Sequence, residues 1–357
     1  MNFSELTTIR VGGPAASVTE ARTRAELIAF CRAHPLTAGA GTAPPALFVA
    51  GGSNLLVGDE GFAGDTCLVR SRGVDTEPGA DSVLVTAEAG EHWDDFVASC
   101  VEYGLAGLEA LSGIPGTVGA APVQNVGAYG AEVSDTIESA LVFDRLTGDA
   151  LRLLARDLHF GYRTSLLKRT AAEFGQPRFV VLAVSFRLAR AGESAPVRYG
   201  QLAGRLGVEV GQGAPTDRVR AAVLELRRSK GMVLDEADHD TWSLGSFFTN
   251  PILRGRPVPE GAPAYPVTDP TTGRAEEGAV KTSAAWLIDR AGLARGYSVG
   301  SGRAALSGKH TLALTNRGGA TAADVLELAA AVRDGVEERF GIRLVPEPNL
   351  VGATLPA

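Results

Sequence analysis

The segment from Gly113 to Gly130 constrains the fold of this chain more than any other stretch. It holds five glycines and two prolines within eighteen residues and carries no charged side chain. Proline interrupts helices and sheets, and glycine adopts backbone angles that other residues avoid. The composition predicts a buried, irregular backbone track against which a flat ligand lies, with its amides satisfied by that ligand. A buried crossover that binds nothing is the alternative.

A second glycine segment, Gly51-Gly52-Ser53-Asn54, directly follows the strand that the apolar run Leu47–Ala50 predicts. Backbone N–H groups of such a segment converge on an anion, and the two short polar side chains add donors. The segment has neither the Gly-Lys-Ser/Thr of a Walker loop nor the Gly-x-Gly-x-x-Gly spacing of a dinucleotide fingerprint. Taken alone it is also compatible with a plain turn. Glycine makes up 44 of 357 residues, about 12% against an average near 7%, which favours many tight turns or close ligand contacts.

The order of elements predicts an α+β fold. Capping boxes predict helices over Thr23–His34 and Thr321–Phe340, and Gly341 ends the second. A continuous apolar run predicts a buried strand over Phe179–Leu188. Pro251–Gly278 is rich in proline and glycine, and we expect it to be irregular.

Composition excludes several classes of protein. A net charge of −7 disfavours nucleic-acid binding, which requires clustered Lys and Arg. The three cysteines and five histidines show no metal-ligand spacing, so we expect no metal. Apolar runs are far shorter than the ~18 residues of a membrane span. These features predict a cytoplasmic protein that does not insert into membranes.

The heptapeptide Gly245–Pro251 reads Gly-Ser-Phe-Phe-Thr-Asn-Pro and places one small hydroxyl, Ser246, beside two aromatic rings. A shielded hydroxyl of this kind can donate a proton if a substrate drives the transfer. A turn hydroxyl without catalytic function is the alternative for an isolated serine. Together with the glycine segments, this motif indicates an enzyme that binds a nucleotide cofactor and protonates an organic substrate.

The chain resembles the UDP-N-acetylenolpyruvoylglucosamine reductase (MurB) family in these motifs and in several others. The resemblance rests on seven segments that occur in the family's order along nearly the whole chain. They are Arg10–Pro14, Gly51–Asn54, Ile114–Gly130, Tyr162–Ser165, Gly245–Pro251, Ala285–Asp289 and Pro346-Glu347.

The resemblance implies a two-part FAD-binding unit of the vanillyl-alcohol oxidase (PCMH-type) superfamily and an α+β substrate-binding domain. Residues 1–70 would form the first FAD-binding subdomain, and residues 71–228 the second. Residues 338–357 would return to the second subdomain, and residues 229–337 would bind substrate.

The implied reaction is reduction of UDP-N-acetylglucosamine enolpyruvate to UDP-N-acetylmuramate for peptidoglycan precursors. NADPH is the implied co-substrate and FAD the implied cofactor. Some members of the superfamily tether FAD to a histidine after a Gly-Gly pair; Ser53 stands there, so a noncovalent flavin is expected. The cofactor-binding residues that the resemblance implies are Gly51, Gly52, Ser53, Asn54, Gly116, Gly119, Gln124, Asn125, Gly127 and Ala128.

Three catalytic residues follow from the same resemblance. Ser246 matches the proton donor, and Arg163 and Glu347 match the residues that flank the developing enolate. A planar, permanently charged guanidinium suits a carboxylate whose charge grows during the reaction. Glu347 could hydrogen-bond as a protonated acid or could orient Arg163.

Three further residues are implied to bind substrate. Lys230 and Asn250 match residues at the diphosphate. Tyr199 begins a Tyr-Gly loop found in the longer-loop subclass of the family, whose tyrosine closes over the diphosphate. Gly231–Gly245, which separates Lys230 from Ser246, is a short insertion relative to the family pattern.

Two other functions remain to be weighed. A flavin oxidase of small alcohols would share the fold, but Ser53, Ser246 and Lys230 disfavour it. A noncatalytic binder of a flavin or nucleotide sugar would need none of Arg163, Ser246 and Glu347.

Overall fold

The structure, a computed structural model, describes residues 1–37, 45–269 and 274–356. Its helices are α1 (Arg24–Ala33), α2 (Trp93–Glu102), α3 (Leu166–Phe174), α4 (Gly200–Leu206), α5 (Thr216–Ser229), α6 (Ala284–Arg290) and α7 (Ala322–Phe340). The strands of the first half are β1 (Ala15–Ala21), β2 (Ala46–Val49), β3 (Leu55–Val57), β4 (Phe62–Val69), β5 (Val74–Pro78), β6 (Ser82–Glu88), β7 (Leu105–Ala106), β8 (Gly127–Ala128) and β9 (Ala131–Glu132). Those that follow are β10 (Ile137–Asp144), β11 (Asp149–Leu154), β12 (Phe179–Arg190), β13 (Ile252–Arg254), β14 (Ala264–Thr268), β15 (Ala275–Thr282), β16 (Ala304–Leu306), β17 (Leu314–Asn316) and β18 (Asn349–Val351).

The chain divides into two compact units, each built from separate stretches of sequence. The first unit comprises Met1–Ala16, Gly52–Ala63 and Ser229–Ala357. The second comprises Ser17–Gly51 and Gly64–Arg228. Residues 338–357 therefore belong to the same unit as residues 229–337, and the division into two FAD-binding subdomains and a substrate-binding domain stays a prediction.

A sheet with strand order β11-β10-β12-β6-β5 forms the centre of the second unit, and β7 pairs with β12. The first eight residues of β12 are buried in succession because this central strand has both faces covered. In β6, buried residues alternate with half-buried ones. Edge strand β5 is exposed along its length. The buried strand predicted over Phe179–Leu188 is thus present as the greater part of β12.

The first unit has small sheets packed with helices. Strand β15 pairs with β13 and β14, β16 pairs with β17, and β3 pairs in parallel with β18. Helix α7 packs an apolar stripe into the core of this unit, formed by Val325, Leu328, Ala329, Val332 and Val336. Asp59 anchors the start of α7, because its two carboxylate oxygens accept hydrogen bonds from the N–H groups of Ala322 at 2.7 Å and Ala323 at 3.0 Å.

Both predicted capping boxes are present. Thr23 and Glu26 cap α1, and Thr321 and Asp324 cap α7. Gly341 ends α7 in the left-handed conformation, with φ of 62°. These ends could be predicted because capping depends on residues three or four positions apart.

Two predictions about local structure are wrong. Residues 251–278 are not irregular, because β13, β14 and the start of β15 lie there; positions 270–273 are outside the described residues. The Tyr-Gly loop at Tyr199 is instead the start of helix α4, with Tyr199 as its N-cap residue. Among the described residues, the structure contains no helix with the length and apolar character needed to traverse a bilayer.

The α7 capping box leads to a prediction about pH and stability. Burial by itself would raise the pKa of Asp324, but hydrogen bonds from Ser301 and Thr321 and the charge of Arg303 outweigh it and lower the pKa to about 2. A carboxyl whose pKa is lowered by folding stabilises the fold above its unfolded pKa of about 3.9, and that contribution is lost as pH falls towards 2. Asp324→Asn should lower the free energy of unfolding by about 2 kcal/mol at pH 7, and the difference from the parent should shrink below about pH 4.

Urea unfolding followed by circular dichroism at pH 7 and pH 3 measures this difference. Glu338→Gln is the matched control, because Glu338 is exposed on the same helix, and its stability should equal that of the parent. An Asp324→Asn deficit that is the same at both pH values would contradict the prediction.

Candidate active site

The two glycine segments touch at Gly51 and Gly116, which both lie in the second unit. A Cβ built on Gly51 would lie 2.6 Å from the Cα of Gly116. Real Cβ atoms do not approach other atoms this closely, so the contact requires glycine on at least the Gly51 side. Residues far apart in sequence are thereby brought into direct backbone contact.

The track is held mainly by the protein's own backbone. The N–H of Val118 donates to the Glu91 carbonyl and that of Gly119 to the Ala89 carbonyl, both at 2.9 Å. A Cβ on Gly119 would lie 2.5 Å from that of Ala89. The expectation that a ligand satisfies the amides of the track is therefore wrong for these residues, and Gly119 is required by packing against the chain that follows β6.

One side chain of the track fits a polar ligand. The hydroxyl oxygen of Thr117 is buried and has no hydrogen-bond partner among the residues that the structure describes. An unsatisfied buried hydroxyl costs about 1–3 kcal/mol, so a bound polar group at this place would be favourable. Thr117 was not among the residues predicted from sequence, because a single threonine between Gly116 and Val118 carries no motif of its own.

Hydrogen bonds connect Val123 and Gln124 of the track to residues at the start of α3. Ser165, the N-cap of α3, donates from its hydroxyl to the Val123 carbonyl at 2.6 Å. Lys168 donates from Nζ to the side-chain oxygen of Gln124 at 3.3 Å. Gln124 is a predicted cofactor-binding residue, and this contact orients its amide group. Sequence reasoning assigned no function to Ser165 or Lys168.

Arg163 occupies a backbone position that normally needs glycine. It is the third residue of a tight turn in which Gly161 and Thr164 exchange backbone hydrogen bonds at 3.0 and 3.2 Å, and its φ is 53°. A positive φ at this turn position favours Gly or Asn, and a side chain there costs about 1–3 kcal/mol. Retention of a strained arginine is typical of a functional residue.

The guanidinium of Arg163 points to the glycine track. Its Nη2 donates to the Gly127 carbonyl at 3.1 Å, and its Cζ lies 5.6 Å from the Tyr162 ring centroid. Arg163 and Gly127, which the resemblance implied to be a catalytic and a cofactor-binding residue, are thus in direct contact within the second unit.

In the first unit, backbone pairing brings Ser246 close to Glu347. The N–H of Glu347 donates to the Phe247 carbonyl at 2.8 Å, and the N–H of Thr249 donates to the Val345 carbonyl at 3.1 Å. Phe247 and Phe248 anchor this pairing, since both are buried and their ring centroids are 5.1 Å apart. Ser246 is half-buried at the end of the paired segment.

Asn54 joins the same cluster in the first unit. Its carbonyl accepts a hydrogen bond from the N–H of Asn349 at 3.0 Å, and its Nδ2 donates to the Glu347 carbonyl at 3.5 Å. Gly52, two residues earlier, has φ of 62°, and a Cβ there would lie 1.9 Å from the Leu6 carbonyl oxygen. The segment Gly51–Asn54 is therefore locked by contacts that exclude a side chain at Gly52.

The predicted substrate-binding residues have different surroundings. Tyr199 is 42% exposed and packs edge-on against Tyr129, with 5.6 Å between ring centroids. Burial raises the pKa of the Tyr129 hydroxyl.

Asn250 accepts a hydrogen bond on Oδ1 from the N–H of Ala284, the first residue of α6, at 2.9 Å.

Lys230 directly follows the last residue of α5. It belongs to the first unit, as do Ser246, Asn250 and Glu347. Tyr199 and Arg163 belong to the second unit. Among the described residues, no cluster of His, Cys, Asp or Glu is arranged to hold a metal ion.

Comparison with known proteins identifies the family. Residues 236–351 match the model of the UDP-N-acetylenolpyruvoylglucosamine reductase C-terminal domain, and residues 16–153 match that of an FAD-binding domain. The UDP-N-acetylenolpyruvoylglucosamine reductase of Nocardia farcinica is 53% identical over 360 residues, covering 99% of this chain and 90% of that protein. The protein of the same name from Thermobifida fusca is 50% identical over 367 residues, covering 99% and 97%.

A solved structure agrees with these matches. The crystal structure of UDP-N-acetylenolpyruvylglucosamine reductase from Thermus caldophilus superposes with a TM-score of 0.65 at 26% identity, covering 98% of this chain and 97% of that chain. The predicted α+β fold with an FAD-binding unit is confirmed.

The close approach of the glycine segments predicts the effect of one methyl group. Gly51→Ala should displace the backbone of one segment, so that the purified protein carries less flavin and has a lower Tm. Gly204→Ala is the control, because an added Cβ in α4 meets nothing within 4 Å and Ala stabilises a helix by about 1 kcal/mol relative to Gly. Flavin absorbance per mole of protein and thermal unfolding measure both; normal flavin content in Gly51→Ala would contradict the packing argument.

Proposed function

The chain belongs to the UDP-N-acetylenolpyruvoylglucosamine reductase family, and on that premise we propose the reaction that its residues carry out. The enzyme is an FAD-dependent oxidoreductase that reduces the enolpyruvyl ether of UDP-N-acetylglucosamine to UDP-N-acetylmuramate. The observation that supports this most directly is the pairing of residues 247–249 with 345–347, because it holds a hydroxyl and a carboxyl on neighbouring segments. We further propose NADPH as the co-substrate and the cytoplasm as the location.

The residues of the two glycine segments fit a flavin cofactor. At the Gly51–Gly116 contact backbone lies against backbone with no side chain between, and the buried Thr117 hydroxyl next to Gly116 is available to a polar partner. When bound, FAD supplies hydride transfer to and from carbon. The residues proposed to hold it are Gly51, Gly52, Ser53, Asn54, Gly116, Gly119, Gln124, Asn125, Gly127 and Ala128. Ser53 cannot tether the flavin as a histidine could, so we propose noncovalent binding.

Arg163 has the task of stabilising negative charge on the substrate. Hydride addition to one vinyl carbon moves an electron pair towards the carboxylate and produces an enolate. A guanidinium that is already held by the Gly127 carbonyl needs little reorganisation to meet this charge. Glu347 is proposed to flank the same charge, and its backbone is held by Phe247 and Asn54.

Ser246 is proposed to deliver the proton that completes the reaction. The enolate carbon must gain a proton, and the Ser246 hydroxyl is a half-buried donor held next to two buried rings. Lys230, Tyr199 and Asn250 are proposed to bind the diphosphate of the substrate. The ammonium group of Lys230 is a compact positive charge, which suits binding to a phosphate oxygen.

The proposed cofactor leads to a simple test. The purified protein should be yellow, and heat or acid should release FAD into the supernatant, because no covalent bond holds it. Absorbance and chromatography of the supernatant measure this. A colourless protein that cannot be reconstituted with FAD would refute the proposal, and flavin that stays with the denatured chain would refute noncovalent binding.

The role of Ser246 is tested by separating the two half-reactions. In Ser246→Ala, flavin reduction by NADPH should keep nearly the parent rate, because it needs no proton from the protein. Flavin reoxidation by the enolpyruvyl substrate should slow by about 10²–10⁴-fold, the usual contribution of a general acid. Substrate affinity should change little, because one hydroxyl contributes about 1 kcal/mol.

Rapid-mixing absorbance under anaerobic conditions measures each half-reaction. Thr249→Val is the control, since the Thr249 hydroxyl lies in the same heptapeptide and donates to the Val345 carbonyl at 3.4 Å; both rates should equal those of the parent. Equal slowing of both half-reactions in Ser246→Ala would assign Ser246 a structural role.

A further inference from the structure

Asn125 connects three parts of the second unit although it is completely buried. Its Nδ2 donates to Oε2 of Glu132 at 2.7 Å and to the Gly161 carbonyl at 3.3 Å. Its Oδ1 accepts from the N–H of Ser134 at 3.2 Å. The Asn125 side chain thus joins the glycine track, the residues after β9 and the turn that carries Arg163.

The hairpin β8–β9 places Glu132 opposite Gly127 on the neighbouring strand. Gly127 pairs with Glu132, and the two residues of the connecting turn, Tyr129 and Gly130, have φ of 52° and 83°. Two positive φ angles define the tight turn that matches the twist of a hairpin. The turn therefore explains the unusual backbone of Tyr129 and sets the register that places Glu132 opposite Gly127.

Glu132 and Arg163 lie against the same point of this hairpin. A Cβ on Gly127 would be 2.9 Å from Cγ of Glu132 and 3.4 Å from Nη1 of Arg163. Because glycine has no side chain, the Glu132 side chain and the Arg163 guanidinium both lie directly beside this position. Both residues are half-buried, so the attraction between their opposite charges is screened less by solvent than at an exposed surface.

From these contacts we infer that Glu132 is a positioning residue for Arg163, an inference that rests on the proposed function. Glu132 acts in two ways: its charge restrains the guanidinium, and its bond to Asn125 holds the amide that fixes the Gly161 carbonyl. Arginine has several rotatable bonds, and its backbone here is in a strained conformation. Without a fixed counter-charge the guanidinium would sample orientations that do not meet the developing enolate.

The alternative is that Glu132 only stabilises the hairpin. A structural residue of that kind would affect FAD content and both half-reactions alike. A positioning residue should affect only the half-reaction in which Arg163 meets the substrate carboxylate. The two half-reactions therefore separate these explanations.

The first experiment uses FAD-loaded Glu132→Gln and Glu132→Ala. Gln keeps an acceptor for Asn125 but removes the charge, and Ala removes both. Reoxidation of the flavin by the enolpyruvyl substrate should slow about tenfold in Glu132→Gln and about a hundredfold in Glu132→Ala, the size of effect expected from misplacing a catalytic group. Flavin reduction by NADPH and the flavin spectrum should stay at parent values in Glu132→Gln.

Glu138→Gln is the matched control. Glu138 lies in β10, close to Glu132 in sequence, and forms a partly exposed ion pair with Arg187 at 3.0 Å, so removing its charge should change neither half-reaction. Equal slowing of both half-reactions in Glu132→Gln, or unchanged reoxidation, would overturn the inference. If the parent flavin is not reoxidised by the enolpyruvyl substrate at all, the proposed function fails instead, and the inference is decided by the next measurement.

A second readout requires no turnover. In FAD-loaded protein labelled with ¹⁵N-arginine, the Nε–H signal of Arg163 is assigned by its loss in Arg163→Lys. Glu132→Gln should shift or broaden that signal, and Glu138→Gln should leave it unchanged. An Arg163 signal that is identical in the parent and in Glu132→Gln would overturn the inference independently of any activity. In an active enzyme, Glu132→Ala should also slow reoxidation much less in the Arg163→Lys background than in the parent, because the two residues act together.

Discussion

The candidate site depends on backbone approaching backbone where no side chain intervenes. The contact between Gly51 and Gly116 is the clearest case, and Gly52 against Leu6 and Gly119 against Ala89 repeat it. Main chain that packs against main chain cannot relieve the contact by a change of rotamer. The cofactor proposed to bind at these segments would therefore meet a backbone already fixed by packing, which lowers the entropic cost of binding.

The residues proposed to be catalytic are held by two kinds of contact, each within its own unit. Ser246 and Glu347 are aligned by strand-like pairing of segments that are about a hundred residues apart in sequence. Arg163 is instead aligned by a strained turn and by side-chain bonds through Asn125. Main-chain pairing tolerates substitutions of the paired side chains, whereas alignment through Asn125 requires that amide and no other group. The two arrangements therefore differ in how they would respond to mutation.

The sequence predicted those features that neighbouring residues determine. Helix α7 was predicted at nearly its full length because its capping box and terminal glycine are local signals. The strands within 251–282 were missed because their pairing partners, and not their own residues, stabilise them. Helix α4 was missed because Gly200 and Gly204 weaken its local propensity, while Leu202, Ala203 and Leu206 pack into a small core of their own.

For the site, the family pattern supplied which residues matter and the structure supplied how they are held. The roles of Arg163, Ser246 and Glu347 remain proposals that the half-reactions will decide. No sequence signal indicates that the Asn125 amide bonds to Glu132 and to Gly161, because those partners meet only after the hairpin and the turn have formed. Asn125 was predicted to bind the cofactor, but the bonds described for its side chain are to the protein.

The bond from the N–H of Ala284 to Oδ1 of Asn250 couples this side chain to the start of α6. Ala284 is the first residue of that helix, so a displacement of α6 would pull on the carboxamide and change its orientation. The substrate contact proposed for Asn250 therefore depends on where α6 packs as well as on the heptapeptide that carries the residue.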